Sequence, residues 1–185
     1  TTFLLPVQAN NHPIYNPSLD YSVYLSQPFF FVLFQVLILL ITVYTVGIEI
    51  KFRTANDWLT TAKGNIVTAV LGKLLPYTII YILIGWLANY VMFGILHIPF
   101  QGSWWLMNIM TVLFIIATQA LGLFLFSLFP AISLVISVVS MVGSLGATLS
   151  GVTFPVSNMY PLVRDASYLF PVRHFTEMMQ TMLYG

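Results

Sequence analysis

"FVLFQVLILLITVYTVGIEIKFRTANDWLTTAKGN", residues 31 to 65, changes character at Glu49. Before Glu49 the stretch is apolar with a few neutral polar side chains; after it, charge arrives all at once. Eleven of the 185 residues carry a formal charge. Six of them lie between Glu49 and Lys73: Glu49, Lys51, Arg53, Asp57, Lys63 and Lys73. A chain that otherwise avoids charge gathers it at one junction between two apolar stretches.

Those stretches decide the fold. Phe29 to Ile48 is 20 residues without a charge. At 1.5 Å per residue it crosses a hydrocarbon core of about 30 Å. Three more segments are long enough: Leu74 to Leu96, Trp104 to Phe129, and Ala131 to Ser150. The composition agrees, at 59% hydrophobic and 6% charged, where soluble domains run near 25% charged. The expected fold class is all-α: a polytopic transmembrane helical bundle of about four spans, with an amphipathic helix and short broken helices beside it. A net charge of +1 gives no basic field for nucleic acid. The absence of cysteine excludes disulfides and thiolate metal sites. No cleavable signal peptide is visible.

Lys and Arg mark the cytoplasmic side of a membrane. Residues 1–28 contain neither, whereas the junction holds Lys51, Arg53, Lys63 and Lys73. The junction is therefore expected inside and the N-terminal tail outside. Residues 97–103 then fall outside, the turn at Pro130 inside, and the segment from Gly151 outside. In that last segment Arg164 and Arg173 are balanced by Asp165 and Glu177. The chain opens on Thr1 and closes on Gly185, and we expect a piece of a longer polypeptide with a membrane helix upstream. The expected division is residues 1–28 as the tail of an extracytoplasmic region, 29–150 as the bundle with segment 49–73 on its cytoplasmic side, and 151–185 as an outer re-entrant or interfacial segment leading to a further span.

Within the junction Ala55, Trp58, Leu59, Ala62 and Ile66 recur at helical spacing, an apolar stripe beside a polar face. Thr54 followed by Asp57 fits a capping box, and Trp58 suits the headgroup level. Gly64 and Gly72 are expected to keep the element short. Two readings stay open: a helix lying on the membrane among anionic headgroups, or one docking a cytoplasmic partner.

The central portions of the four spans hold no ionisable residue, which argues against a self-sufficient ion-driven pump. Their polar groups are neutral amides and hydroxyls, chiefly Gln35, Thr42, Asn89, Asn108, Thr118 and Gln119. Helix–helix hydrogen bonds are their ordinary use; Gln35, Asn108 and Gln119 are the candidates for lining a pathway. In the fourth span Gly143, Ala147 and Gly151 repeat every four residues, as do Ser140, Ser144 and Thr148, the spacing of close helix packing. A serine hydrolase at Ser144 or Ser150 lacks both a G-x-S-x-G elbow and a histidine base in a span. Gly72-Lys73 does not complete a phosphate loop, because Val67 and Leu74 occupy the positions of its Gly and its Ser or Thr. After Gly151, Pro155, Pro161 and Pro171 interrupt any continuous helix. His12 and His174 are read as surface residues, with no metal site.

Four motifs, in order, carry a resemblance: "VGIEIKFRTANDWL", "GKLLPYTIIY", "LSGVTFPVSNMYP" and "YLFPVRHF". Together they resemble the membrane subunit of an ABC-2 type exporter, from Phe29 to Gly185. Glu49 and Thr54 match that family's Glu and following Thr, with Arg53 where the family usually has Gly. Gly72, Lys73 and Pro76 match its next motif, then Ser150, Gly151, Phe154 and Pro155, then Pro171, His174 and Phe175. The resemblance implies six spans in the full subunit, of which this chain would hold the second to the fifth. It also implies that Glu49, Arg53, Thr54, Asp57, Trp58 and Leu59 couple to a separate ABC ATP-binding subunit, and that Phe154, Pro155 and Met159 belong to an outer gate. A second permease copy or paralogue is the implied membrane partner, besides the lipid bilayer. No cofactor is expected in this chain, ATP being bound by the partner subunit. The expected location is the cell membrane, as a multi-pass protein, with a bacterial inner membrane as the setting. The rival expectation is a membrane-anchored scaffold or assembly protein that recruits a cytoplasmic partner without transporting.

Overall fold

The computed structural model describes residues 21–98, 100–152 and 156–184. Among these there are seven α-helices: α1 (Tyr21–Lys51), α2 (Ala55–Thr61), α3 (Ile66–Asn89), α4 (Trp104–Leu128), α5 (Ile132–Leu149), α6 (Pro161–Ser167) and α7 (Pro171–Tyr184). A π-helical turn, Tyr90–Ile95, extends α3. Four segments are long and apolar enough to cross a membrane: Leu25–Lys51, Ile66–Ile95, Trp104–Leu128 and Ile132–Leu149. The fold is a helical membrane bundle.

The second span begins eight residues before the expected Leu74. Asn65 caps α3, its side-chain oxygen accepting from the N–H groups of Val67 and Thr68 at 3.0 and 3.2 Å. That satisfies two of the four donors a helix start leaves unpaired. Gly72 and Lys73 therefore sit inside α3 and do not end the preceding element. Lys73 is tolerated there because its charge is paired, as described below.

α1 is the hub of the bundle, packing on α3, α4, α5 and α7. In lipid, where burying apolar surface gives little net drive, helices associate through close packing and interhelical hydrogen bonds. Close packing is visible at α5. A Cβ on Gly143 would stand 2.8 Å from Val36 Cγ2, and one on Gly146 would stand 2.8 Å from Gln35 Nε2. Gly143 is thus a contact glycine, as its spacing suggested. Gly151 is not on that helix face: it lies beyond α5 at φ +86°, its Cβ position 3.0 Å from Val156 Cγ2, and Gly146 makes the second close approach to α1. Ser140, Ser144 and Thr148 do not share this packed face; they are exposed.

Pro161 and Pro171 each open a helix, the position where a missing N–H costs nothing. α7 lays Val172, Phe175, Met179, Met182 and Leu183 into the bundle. Phe175 sits 4.2 Å from Phe31 and 4.9 Å from Phe114, ring centre to ring centre. The N–H of Val172 donates to Gln35 Oε1 at 2.9 Å. Gln35 lies ten residues, or about 15 Å, from the start of the α1 span, half the thickness of a hydrocarbon core. At the other end the N–H of Gln101 donates to the Met182 carbonyl at 3.1 Å. α7 thus runs from the middle of the bundle back to the loop before α4.

Candidate functional site

At the end of α1 the chain reverses through Phe52, Arg53 and Thr54. Arg53 adopts φ +61°, a left-handed conformation that costs a side-chain-bearing residue about 1–2 kcal/mol. Thr54 is the residue before α2, yet its hydroxyl makes no cap on that helix. It donates instead to the Glu49 carboxylate. The expected capping box of Thr54 and Asp57 is therefore absent: Glu49, one turn back on α1, captures the hydroxyl first.

Glu49 also pairs with Lys73 of α3, and the Lys73 ammonium lies 5.1 Å from the centre of the Trp58 ring. One carboxylate thus ties the end of α1, the turn and α3, and Trp58 brings α2 onto the same cation. Trp58 and Val70 of α3 both pack against the apolar cluster that contains Leu74, Val46 and Leu125. Ala55, Trp58, Leu59 and Ala62 are half-buried, as the stripe predicts. Ile66 leaves the stripe: it belongs to α3 and is exposed. The break between the helices falls at Lys63 and Gly64, both at positive φ, so Gly64 ends the element and Gly72 does not. Asn56, Asp57, Thr60 and Thr61 remain on the exposed face, with Lys51, Arg53 and Lys63 around it. A groove of about 410 Å³ runs between α2 and α3, floored by Ala69 and Gly72.

Of the neutral polar residues of the spans, the four amides join helices, whereas Thr118 bonds the Phe114 carbonyl of its own helix at 2.7 Å and the buried Thr42 hydroxyl has no partner among the described residues. Gln35 is fully buried and bonds α7. Gln119 Oε1 accepts from the Thr78 hydroxyl at 2.9 Å, linking α3 to α4. Asn89 donates to the Thr111 hydroxyl at 3.0 Å across the same pair. Asn108 donates to its own helix at Trp104 and accepts from the Trp86 indole on its backbone carbonyl. The structure does not bring Gln35, Asn108 and Gln119 into one cavity. Phe154 and Pro155 lie outside the described residues, and Met159 is half-buried in the turn before α6. His12 also lies outside them, and His174 is exposed, its ring Nε2 2.9 Å from the Tyr168 carbonyl. Arg164 pairs with Asp165 and Arg173 with Glu177, at 3.9 and 3.4 Å, as their sequence balance suggested.

A family model for ABC-2 family transporter proteins matches residues 4–185. The chain belongs to the ABC-2 transporter family. With its four apolar spans it is a multi-pass membrane protein of that family. Two curated relatives, each named "Probable multidrug ABC transporter permease YbhS", come from Escherichia coli strain K12 and Escherichia coli O157:H7. Each is 26% identical over 117 residues, covering 61% of this chain and 30% of its own length. The chain thus matches less than a third of the length of these relatives. No solved structure matches it.

Two features of the structure are not legible in the sequence. Arg53 stands in the left-handed region, where no local pattern places it. Ser137, Ser140, Ser144 and Thr148 are exposed on α5, where the four-residue spacing of the last three predicts helix packing.

Proposed function

We propose that this chain is the membrane-spanning part of an ATP-driven ABC-2 exporter, which forms the translocation path and couples through α2 to a separate ATP-binding subunit. The observation that carries the reading is the attachment of α2. Its apolar stripe is half-buried, with Trp58 and Ala62 facing α3 across the groove, so part of that stripe is withheld from lipid. Its polar face stays bare. A push on that face passes through Trp58, Lys73 and Glu49 into two spans at once. This arrangement suits transmission better than simple membrane anchoring, which needs no such tie.

The path itself is best supported at α5. The exposed face of α3 is aliphatic, with Leu75, Ile79, Ile80, Leu83 and Leu87, as a lipid-facing surface should be. The exposed surface of α5 carries hydroxyls beside Leu134, Met141 and Leu145, each hydroxyl bonded within its own helix, among them Ser140 to Ile136 at 2.9 Å. We assign that face to the path and to a second permease copy or paralogue across it. ATP is bound by the partner subunit, and the location is the cell membrane. Trp58→Ala in the full complex tests the coupling: transport should fall while ATP hydrolysis persists without substrate stimulation. Unchanged transport and stimulation would remove α2 from the coupling route.

A further inference from the structure

The end of the bundle away from the charged turn holds a cavity of about 490 Å³ between α3 and α4. Trp86, Tyr90, Trp104 and Trp105 line it together with Ile109, Val112 and Leu113, and Asn108 adds an amide. Three of the chain's four tryptophans thus meet in one seam. None is packed away: Trp105 is 78% exposed and Tyr90 55%. Tyr90 also opens the π-helical turn that ends α3, a distortion that recurs at functional sites.

The chemistry of the walls is selective. No residue lining the cavity is charged. The Trp86 indole N–H is directed at the Asn108 carbonyl, 3.4 Å away, and the Asn108 amide donates to the Trp104 carbonyl at 2.9 Å. Other donors remain on the walls, the Trp104 and Trp105 indoles and the Tyr90 hydroxyl, but no cation is there to neutralise an anion taken out of water. A primary ammonium would find only the Tyr90 hydroxyl and the Asn108 amide oxygen for its three N–H groups. A methylated ammonium has no N–H to satisfy, and aromatic faces attract it through their quadrupoles.

Below the cavity the same seam turns aliphatic. Leu75, Ile79, Ile116 and Leu123 line a groove of about 350 Å³ that reaches Gln119. Trp104 to Gln119 is 15 residues of one helix, about 22 Å at 1.5 Å each, most of the depth of a hydrocarbon core. Both lie along α3 and α4, the aromatic cavity toward the start of α4 and the aliphatic groove toward its end.

We propose that the α3–α4 seam binds single-chain alkyl quaternary ammonium amphiphiles, with the trimethylammonium head among Trp86, Tyr90, Trp104 and Trp105 and the chain in the aliphatic groove. The site goes beyond the exporter reading and stands whether or not the bound molecule is moved.

The test uses full-length protein in maltoside micelles, which carry no charge, and hexadecyltrimethylammonium with a diazirine on its alkyl chain. Photolabelling should map to α3 and α4. Unlabelled hexadecyltrimethylammonium should compete about tenfold better than its uncharged tert-butyl isostere, as expected for a cation held by several rings. Trp86→Leu and Trp104→Leu should bring the two competitors to parity, while Trp105→Phe keeps most of the difference. Equal competition by the two compounds in the wild-type protein, which requires no variant to fold, would overturn the proposal and leave the tryptophans as interfacial anchors. Complete loss of labelling on adding phosphatidylcholine would overturn it in favour of a bilayer headgroup site.

Discussion

Gly146→Ala is the substitution whose outcome the structure specifies most closely. The added Cβ would stand 2.8 Å from Gln35 Nε2, 3.1 Å from Phe170 Cδ1 and 3.7 Å from Val172 Cγ1. The Gln35 amide is a flexible end, yet it is not free to move, since its Oε1 accepts the Val172 N–H at 2.9 Å. Overpacking costs about 1–3 kcal/mol, and losing an intramembrane hydrogen bond costs about 0.6–1.7 kcal/mol. Alanine's better helix propensity returns about 1 kcal/mol. The net prediction is a loss of about 1–3 kcal/mol, read as a shift in the denaturant midpoint of full-length protein in micelles. Gly72→Ala is the control. Nothing lies within 4 Å of its Cβ position, so only the propensity gain of about 1 kcal/mol remains. The Gln35→Ala/Gly146→Ala double variant should lose less than the sum of its single variants, because shortening Gln35 removes the clash. Strict additivity, or a stabilised Gly146→Ala, would refute the reasoning.

Lys73→Met should destabilise by about 1–3 kcal/mol, since it leaves the half-buried Glu49 carboxylate with only Thr54. The Glu49→Gln/Lys73→Met double variant should recover at least half of that loss in the same titration, and additive losses would show that the pair is not coupled. Arg53→Gly should stabilise by about 1 kcal/mol by relieving the left-handed backbone. Transport in the full complex should nonetheless fall, because the substitution also removes a cation beside the bare face of α2; unchanged transport would take the Arg53 side chain out of the coupling route.

The four spans were legible because length and charge exclusion act along the chain itself. So was α2, whose stripe at Ala55, Trp58, Leu59 and Ala62 is a local period. The start of α3 was misplaced because Gly72 and Lys73 read as interruptions. The charge that makes Lys73 admissible in a helix lies 24 positions away at Glu49. Thr54 was misread for a related reason: a capping box assumes no better acceptor nearby, and Glu49 is one. The placement of α7 rests on Val172 meeting Gln35, 137 positions apart, which no local pattern records. Gly146 was overlooked because the four-residue repeat at Gly143 and Gly151 drew the eye past it. The period was real in the sequence, but α5 ends before Gly151.

The proposed coupling requires α2 to meet an ATP-binding subunit. Asn56 is exposed on its bare face, and the chain contains no cysteine, so Asn56→Cys provides a single handle once any cysteine elsewhere in the full-length protein is removed. Cross-linking in membranes with co-expressed cytoplasmic proteins should give one specific adduct with a nucleotide-binding protein. Labelling of that cysteine only by an impermeant reagent added from outside would contradict the topology, and with it the coupling role of α2.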